Sequence, residues 1–333
     1  MMVSLAQEEA VAHRTNLPAS SAAGPWEALV LDVERPARPA LRVEAAGRGL
    51  LVLRQADTMV LMAKVDADRI GVEYALTGHF RPPIPPIRTA YAAALGVNDP
   101  DRARQARWAH HFASKLTEAV NGPLHTGRWV ISAEANHLQT TPWARDLARR
   151  WAHLLLPQDR GSVDWFTSNG AWQILPLRRL ASPDDGRVKS YRKHAREGIL
   201  APVLLWWISG LDCYVLLDGH DRLIAAITEE QEPPLLALSS VSHREVARDA
   251  ENAVNRYTMT AELMQRQAAA GTPGSAEALV AANRRFARDL RTIETGYGAT
   301  RAWPLPGGTA AWNDLARTQV PDWHAEMAVT DEP

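Results

Sequence analysis

Five consecutive residues, Asp218-Gly219-His220-Asp221-Arg222, bring together two carboxylates, an imidazole, a guanidinium and a glycine. These are the groups that hold an anion, with the glycine letting a ligand approach the backbone. They close the segment 199–227, where two apolar runs, 202–208 and 213–217, flank Ser209-Gly210-Leu211-Asp212. Gly and Asp tolerate the angles of a tight turn, so the spacing predicts a hairpin of two buried strands. From Arg222 the run Leu223-Ile224-Ala225-Ala226-Ile227 consists of helix-compatible apolar residues, which puts the switch from strand to helix on Asp218-Gly219-His220-Asp221. A helix N-terminus at the end of a buried strand binds anions, because its first N–H groups have no helical partner and the macrodipole is positive there. The fork of Arg222 suits a phosphate. The structural alternative is that Asp218 caps the helix, Gly219 relieves a turn, and Arg222 pairs with Asp221 or Glu229 on the surface.

Upstream stand Ile174-Leu175-Pro176-Leu177-Arg178-Arg179-Leu180, then Tyr191 and Arg196-Glu197-Gly198-Ile199-Leu200-Ala201-Pro202, ahead of Tyr214-Val215-Leu216-Leu217 and the five residues above. In this order and spacing, 173–237 resembles the ParB/sulfiredoxin-like domain superfamily. Its members run from a short strand with "PL..L" through a polar loop and a helix ending in "GI..P" to strands ending in "DGH.R...A". The resemblance places such a domain at about 164–240. It implies a nucleotide or phosphorylated small molecule held by Asp218, Gly219, His220 and Arg222, with the helix over 189–196 flanking the pocket and Arg187 and Lys189 as further phosphate partners. His220 and Asp221 are its candidates to position a nucleophile or ion, and Glu197 and Asp218 its candidate base or metal ligand.

Branches of the superfamily differ, and departures narrow the choice. Sulfiredoxins place a reactive cysteine after the glycine, where this chain has His220; Cys213 lies early in an apolar run instead. Chromosome-partitioning ParB proteins follow the domain with a helix-turn-helix DNA reader, and nothing after 237 reads as one. Free-serine kinases of this fold carry a similar Asp-Gly-His-His-Arg segment around nucleotide phosphates. The resemblance therefore implies nucleotide binding, with magnesium-dependent hydrolysis or phosphotransfer as its catalytic form. A non-enzymatic interaction protein, for instance a bacterial immunity or regulatory factor using the domain as a scaffold, is the competing class. A ParB-like nuclease is weaker, because the sequence has neither clustered carboxylates nor a DNA-reading module.

The rest of the chain must position these residues. Its 333 residues can build a large core, and 37 basic against 38 acidic residues leave a net charge of −1, which argues against a protein devoted to coating nucleic acid. One cysteine rules out an internal disulfide and a cysteine-cluster metal site and fits a cytoplasmic protein. Glu8 and Glu9 stand where a signal peptide needs an apolar stretch. Pro202, Gly210 and Asp212 interrupt the apolar stretch 199–217, so no membrane span is expected. His110-His111, His125 and His137 lack metal-ligand spacing and read as surface or core residues.

The expected fold class is α+β. Residues 1–25 read as a flexible leader and 26–157 as a β-rich then helical region, with short strands between 26 and 76, a proline-rich connector at 80–86, and helices over 89–95, 99–120 and 141–156. The ParB-like domain follows over 158–240, and a helical extension with an irregular tail over 241–333. In that extension, helices are expected over 242–270 and 275–296, parted by Gly271-Thr272-Pro273-Gly274. Twelve tryptophans, several in predicted loops, are candidate anchors or hot spots for a protein partner.

Overall fold

A computed structural model describes residues 11–17, 26–34, 38–47, 49–66, 71–96, 101–133, 151, 154–164, 173–295 and 299–324. The first strands are β1 (Val11–Leu17), β2 (Ala28–Glu34), β3 (Leu41–Gly47), β4 (Leu50–Gln55), β5 (Thr58–Asp66) and β6 (Gly71–Leu76). Helices α1 (Thr89–Gly96) and α2 (Asp101–Glu118) lead into β7 (Gly127–Ser132), β8 (Arg160–Asp164) and β9 (Ile174–Pro176). Next come α3 (Gly186–Arg196), β10 (Val203–Ile208), β11 (Cys213–Asp218), α4 (His220–Thr228) and β12 (Leu235–Val241). The chain continues through α5 (His243–Ala269), α6 (Ser275–Thr295), β13 (Ala302–Pro304) and α7 (Gly308–Gln319). Helices and two mixed sheets make this an α+β protein. No described helix is long and apolar enough to cross a membrane.

The hairpin β10–β11 forms where the apolar runs predict it, and Asp212 in its turn takes a positive φ of 50°. Both faces of the hairpin are buried, which is why its strands read as continuous apolar runs. Leu204, Trp206, Ile208, Cys213, Val215 and Leu217 enter a core shared with Leu51, Leu53, Leu61 and Tyr74 of the six-stranded sheet and with Trp108, Phe112 and Leu116 of α2. Val203, Leu205, Trp207, Tyr214 and Leu216 enter a second core with Ile174 and Leu223. Each such large side chain, fully buried, contributes about 1.5–3 kcal/mol.

The seven-stranded sheet runs β1-β2-β7-β12-β10-β11-β9 and the six-stranded sheet β13-β3-β4-β5-β6-β8. This interleaving departs from a boundary at 158. Strands β2 and β7, from the N-terminal region, extend the sheet of the candidate domain through the antiparallel pairs β2–β7 and β7–β12. Strand β8, beyond that boundary, completes the N-terminal sheet against β6. Part of the expected leader is β1, an edge strand on β2. Local patterning marks a strand but not which sheet receives it.

The tail is not irregular. β13 pairs in parallel with β3, and Trp312 and Trp323 are buried with Leu305 against Val52 and Met62, on the face of the six-stranded sheet away from the main core. The indole of Trp312 donates to the Leu51 carbonyl at 3.0 Å. Of the described tryptophans all but Trp303 are buried, so these serve as core anchors, the first of the two roles expected of them. Most of the helix expected over 141–156 lies outside the described residues; at its end Leu155 already bridges to Ile174. Helices α5 and α6 form an antiparallel pair in which Tyr257 stacks on Phe286.

Candidate functional site

Strand β11 gives way to α4 at Gly219, whose φ of +97° is left-handed. A Cβ here would lie 2.9 Å from Nη2 of Arg222 and 3.1 Å from Cα of Val203, so both conformation and space demand glycine. Gly219 is the N-cap and supplies no side-chain bond, which leaves the first-turn N–H groups of α4 without a capping side chain. Asp218 is therefore not the cap. Its Oδ2 accepts from Nη2 of Arg222 at 2.6 Å, and the same nitrogen donates to the Pro202 carbonyl at 2.9 Å. The Arg222 side chain is only 4% exposed. It ties the end of β11 and the start of α4 to the entry of β10, in place of the expected phosphate fork or surface pair.

Parallel pairing of β9 with β11 brings Arg178, just beyond β9, beside Asp221. Arg178 Nη2 donates to Asp221 Oδ1 at 2.8 Å. From the other side Arg187 Nη1 approaches Asp221 Oδ2 at 3.5 Å. Arg187 stands in the first turn of α3, where its backbone N–H donates to the side chain of the N-cap Asp185 at 2.8 Å. Its own side chain is 60% exposed.

His220 is 1% exposed. Among the described residues neither of its ring nitrogens has a hydrogen-bond partner, and its ring lies 6.0 Å from that of Phe80. Burial, reinforced by the charges of Arg178 and Arg222, holds its pKa well below the ordinary histidine value. The imidazole is neutral at neutral pH, able to donate at one nitrogen and accept at the other.

The connector over 80–86 closes the site. Gln55 clamps it by donating from Nε2 to the Arg81 carbonyl at 2.7 Å and accepting from the Arg81 N–H at 2.9 Å. Phe80 and Ile84 are buried, leaving Pro82, Pro85 and Pro86 to form a wall. Together the strap, Arg178, Arg187, Tyr191 and 218–222 line a cavity of about 340 Å³. Within the usual range for small-ligand sites, it lies toward the smaller end.

Asp218, Gly219, His220, Asp221, Arg222 and Arg187 thus converge as the sequence predicts. Two candidates do not join them. Lys189 is 55% exposed and pairs with Asp184 at 3.3 Å. Glu197 caps the C-terminal end of α3 and faces Lys193 at 3.8 Å. Neither lines the cavity, so Glu197 is not placed to act there as a base. Arg178, Tyr191 and the proline strap are the contributors that sequence reasoning missed. Arg178 carried a local signal in its place just after the short strand Ile174–Pro176, and Tyr191 in its place on the helix expected to flank the pocket. Cys213 is fully buried and its thiol pKa is raised, mainly by that burial, so it is no nucleophile.

Asp218 and Asp221 are both committed to arginines, and the described residues contain no cluster of metal-ligating side chains. The donor set does not suit a protein-held magnesium ion. Comparison with known proteins finds no matching family model, no matching characterised protein and no matching solved structure.

Proposed function

We propose that this chain binds a phosphate-bearing ligand, a nucleotide or phosphorylated small molecule, in the cavity at the start of α4. The observation that carries the reading is the uncapped helix N-terminus opening on a cavity that also holds two cationic side chains, Arg178 and Arg187, and a buried, unpartnered neutral histidine. Backbone N–H groups and the positive end of the helix meet the anion, Arg187 swings from Asp221 to a phosphate oxygen, and His220 supplies a hydrogen bond that the folded protein leaves unused. The order β9, α3, β10 and β11 is the strand, helix, strand, strand order of the ParB/sulfiredoxin-like resemblance, and that order is what supports this reading of the segment.

Hydrolysis or transfer of the phosphoryl group is the catalytic form of this proposal. In it neutral His220 accepts a hydrogen bond from the attacking water or hydroxyl and orients it, while that proton passes to an oxygen of the phosphoryl group as the leaving oxygen departs with the bonding electrons. Magnesium would arrive on the ligand's own phosphates.

The test is a thermal-shift screen of the full chain against inorganic phosphate, ATP, ADP, CTP and GTP, with and without magnesium, beside Arg187→Ala. This variant removes an exposed side chain and spares the core, unlike Arg222→Ala. At a hundredfold excess over Kd a ligand adds about 2.7 kcal/mol to stability. A rise of a few degrees that Arg187→Ala diminishes is expected. No shift with any of these ligands in folded protein would overturn the reading.

A further inference from the structure

Beyond the proline strap lies a larger cleft of about 830 Å³ that shares only Pro85 and Pro86 with the cavity at α4. Its apolar floor comes from Ile87, Leu95 and the two prolines. Around it stand Arg14 of β1, Arg88 ahead of α1, and Arg107 and Lys115 of α2, with no carboxylate among the described lining residues. The smaller cavity, by contrast, offsets three arginines with two aspartates. Partners outside the lining answer only part of this charge. Lys115 pairs with Glu118 and Arg107 donates to the Leu95 carbonyl, whereas Arg14 and Arg88 form no ion pair among the described residues. Cations gathered around one cleft repel one another, and a bound anion relieves that repulsion.

The cleft also presents a flat surface. Tyr91 is 42% exposed, with its ring 4.7 Å from that of His111 and edge-on to Trp108, so it is held in place rather than free to collapse. His110 is fixed by Asn16 at 3.0 Å. Burial first, then nearby cations, lowers the pKa of both histidines: Arg14 acts on His110, and Lys115 and Arg222 act on His111 against the opposing charges of Asp218 and Glu118. They line the cleft as neutral groups able to hydrogen-bond.

We propose that this cleft is a second ligand site, for a small organic anion with an aromatic body: the ring lies on Tyr91 and the apolar floor, and the acidic group meets Arg88 and Arg107. The proposal is independent of phosphate binding at α4, since it uses none of that cavity's charged residues. The probe is 8-anilinonaphthalene-1-sulfonate, an aromatic sulfonate whose fluorescence rises in apolar sites, titrated into the full chain. Its uncharged counterpart, N-phenyl-1-naphthylamine, is the control. Saturable binding of the sulfonate is expected, weakened about tenfold by Arg88→Ala and by Tyr91→Ala, as loss of a charge-assisted contact or a stacking surface implies. Arg317→Ala, an exposed arginine of α7 that lines neither cavity, leaves it unchanged. Circular dichroism establishes that each variant is folded. Equal affinity for the uncharged dye, or equal sulfonate affinity in both cleft variants, would overturn the site. A phosphate effect at α4 does not alter either outcome.

Discussion

His220 concentrates what is unusual at the residue scale: an imidazole inside the protein, unpaired, beside two arginines. Its folded-state pKa is depressed, so between that value and the unfolded value of about 6.5 the unfolded chain binds more protons than the folded one. Stability then rises with pH: this contribution is intact above about 6.5 and lost as the pH falls below it. His110, His111, His125 and His194 are shifted the same way, by burial first, and add to the trend. The melting temperature should drop steadily from pH 7 to pH 5.5, each fully neutral histidine contributing up to about 1.4 kcal/mol per pH unit. His220→Phe should flatten that slope, and an unchanged slope in the variant would mean that His220 is not held neutral. The five-residue segment was legible as a site because glycine, carboxylates and cations sit at a strand-to-helix switch. Division of labour within it was not legible. Nothing in the local sequence tells that Arg222 turns inward to Asp218, since the Pro202 carbonyl that completes its binding lies twenty positions away.

Elements meet at the same place. The Asp218–Arg222 pair joins β11 to α4, with β10 reached through Pro202, and a buried pair broken on one side costs about 3–5 kcal/mol because the remaining charge loses its partner. Arg222→Leu should therefore lower the urea midpoint sharply, and Asp218→Asn in the same chain should restore part of the loss. If the double variant is no more stable than the single, the cost lies in packing beside Tyr191, not in the orphaned carboxylate. Elements with strong internal patterns were read correctly: the hairpin strands, α1, α2, and the pair α5 and α6 separated by Gly271-Thr272-Pro273-Gly274. The proline connector was also placed correctly, but its use as a cavity wall depends on Gln55 gripping Arg81 from a remote strand. The tail was misread because Trp312 and Trp323 occupy short elements whose burial comes from a sheet laid down some 250 residues earlier.

On the scale of the whole molecule, the α+β class was legible and the division into consecutive regions was not. Strands β2 and β7 lie beside β12 in one sheet, and β8 lies beside β6 in the other. Residues 158–240 expressed alone would leave the β7 side of β12 open and strip the apolar face of β10 and β11 of its partners. That fragment should be insoluble or lack cooperative unfolding, whereas the full chain unfolds cooperatively. A soluble, cooperatively melting fragment would show that the N-terminal strands are an addition to a self-sufficient unit.

The position of β12 has a further consequence for the order in which the protein comes into being. It is the keystone of its sheet, antiparallel to β7 on one side and parallel to β10 on the other. On the ribosome, β1, β2 and β7 emerge long before it, and the β10–β11 hairpin follows with nothing yet to bridge the two. Until residues 235–241 leave the exit tunnel, any half-sheets that the nascent chain forms should each keep an edge that only β12 satisfies.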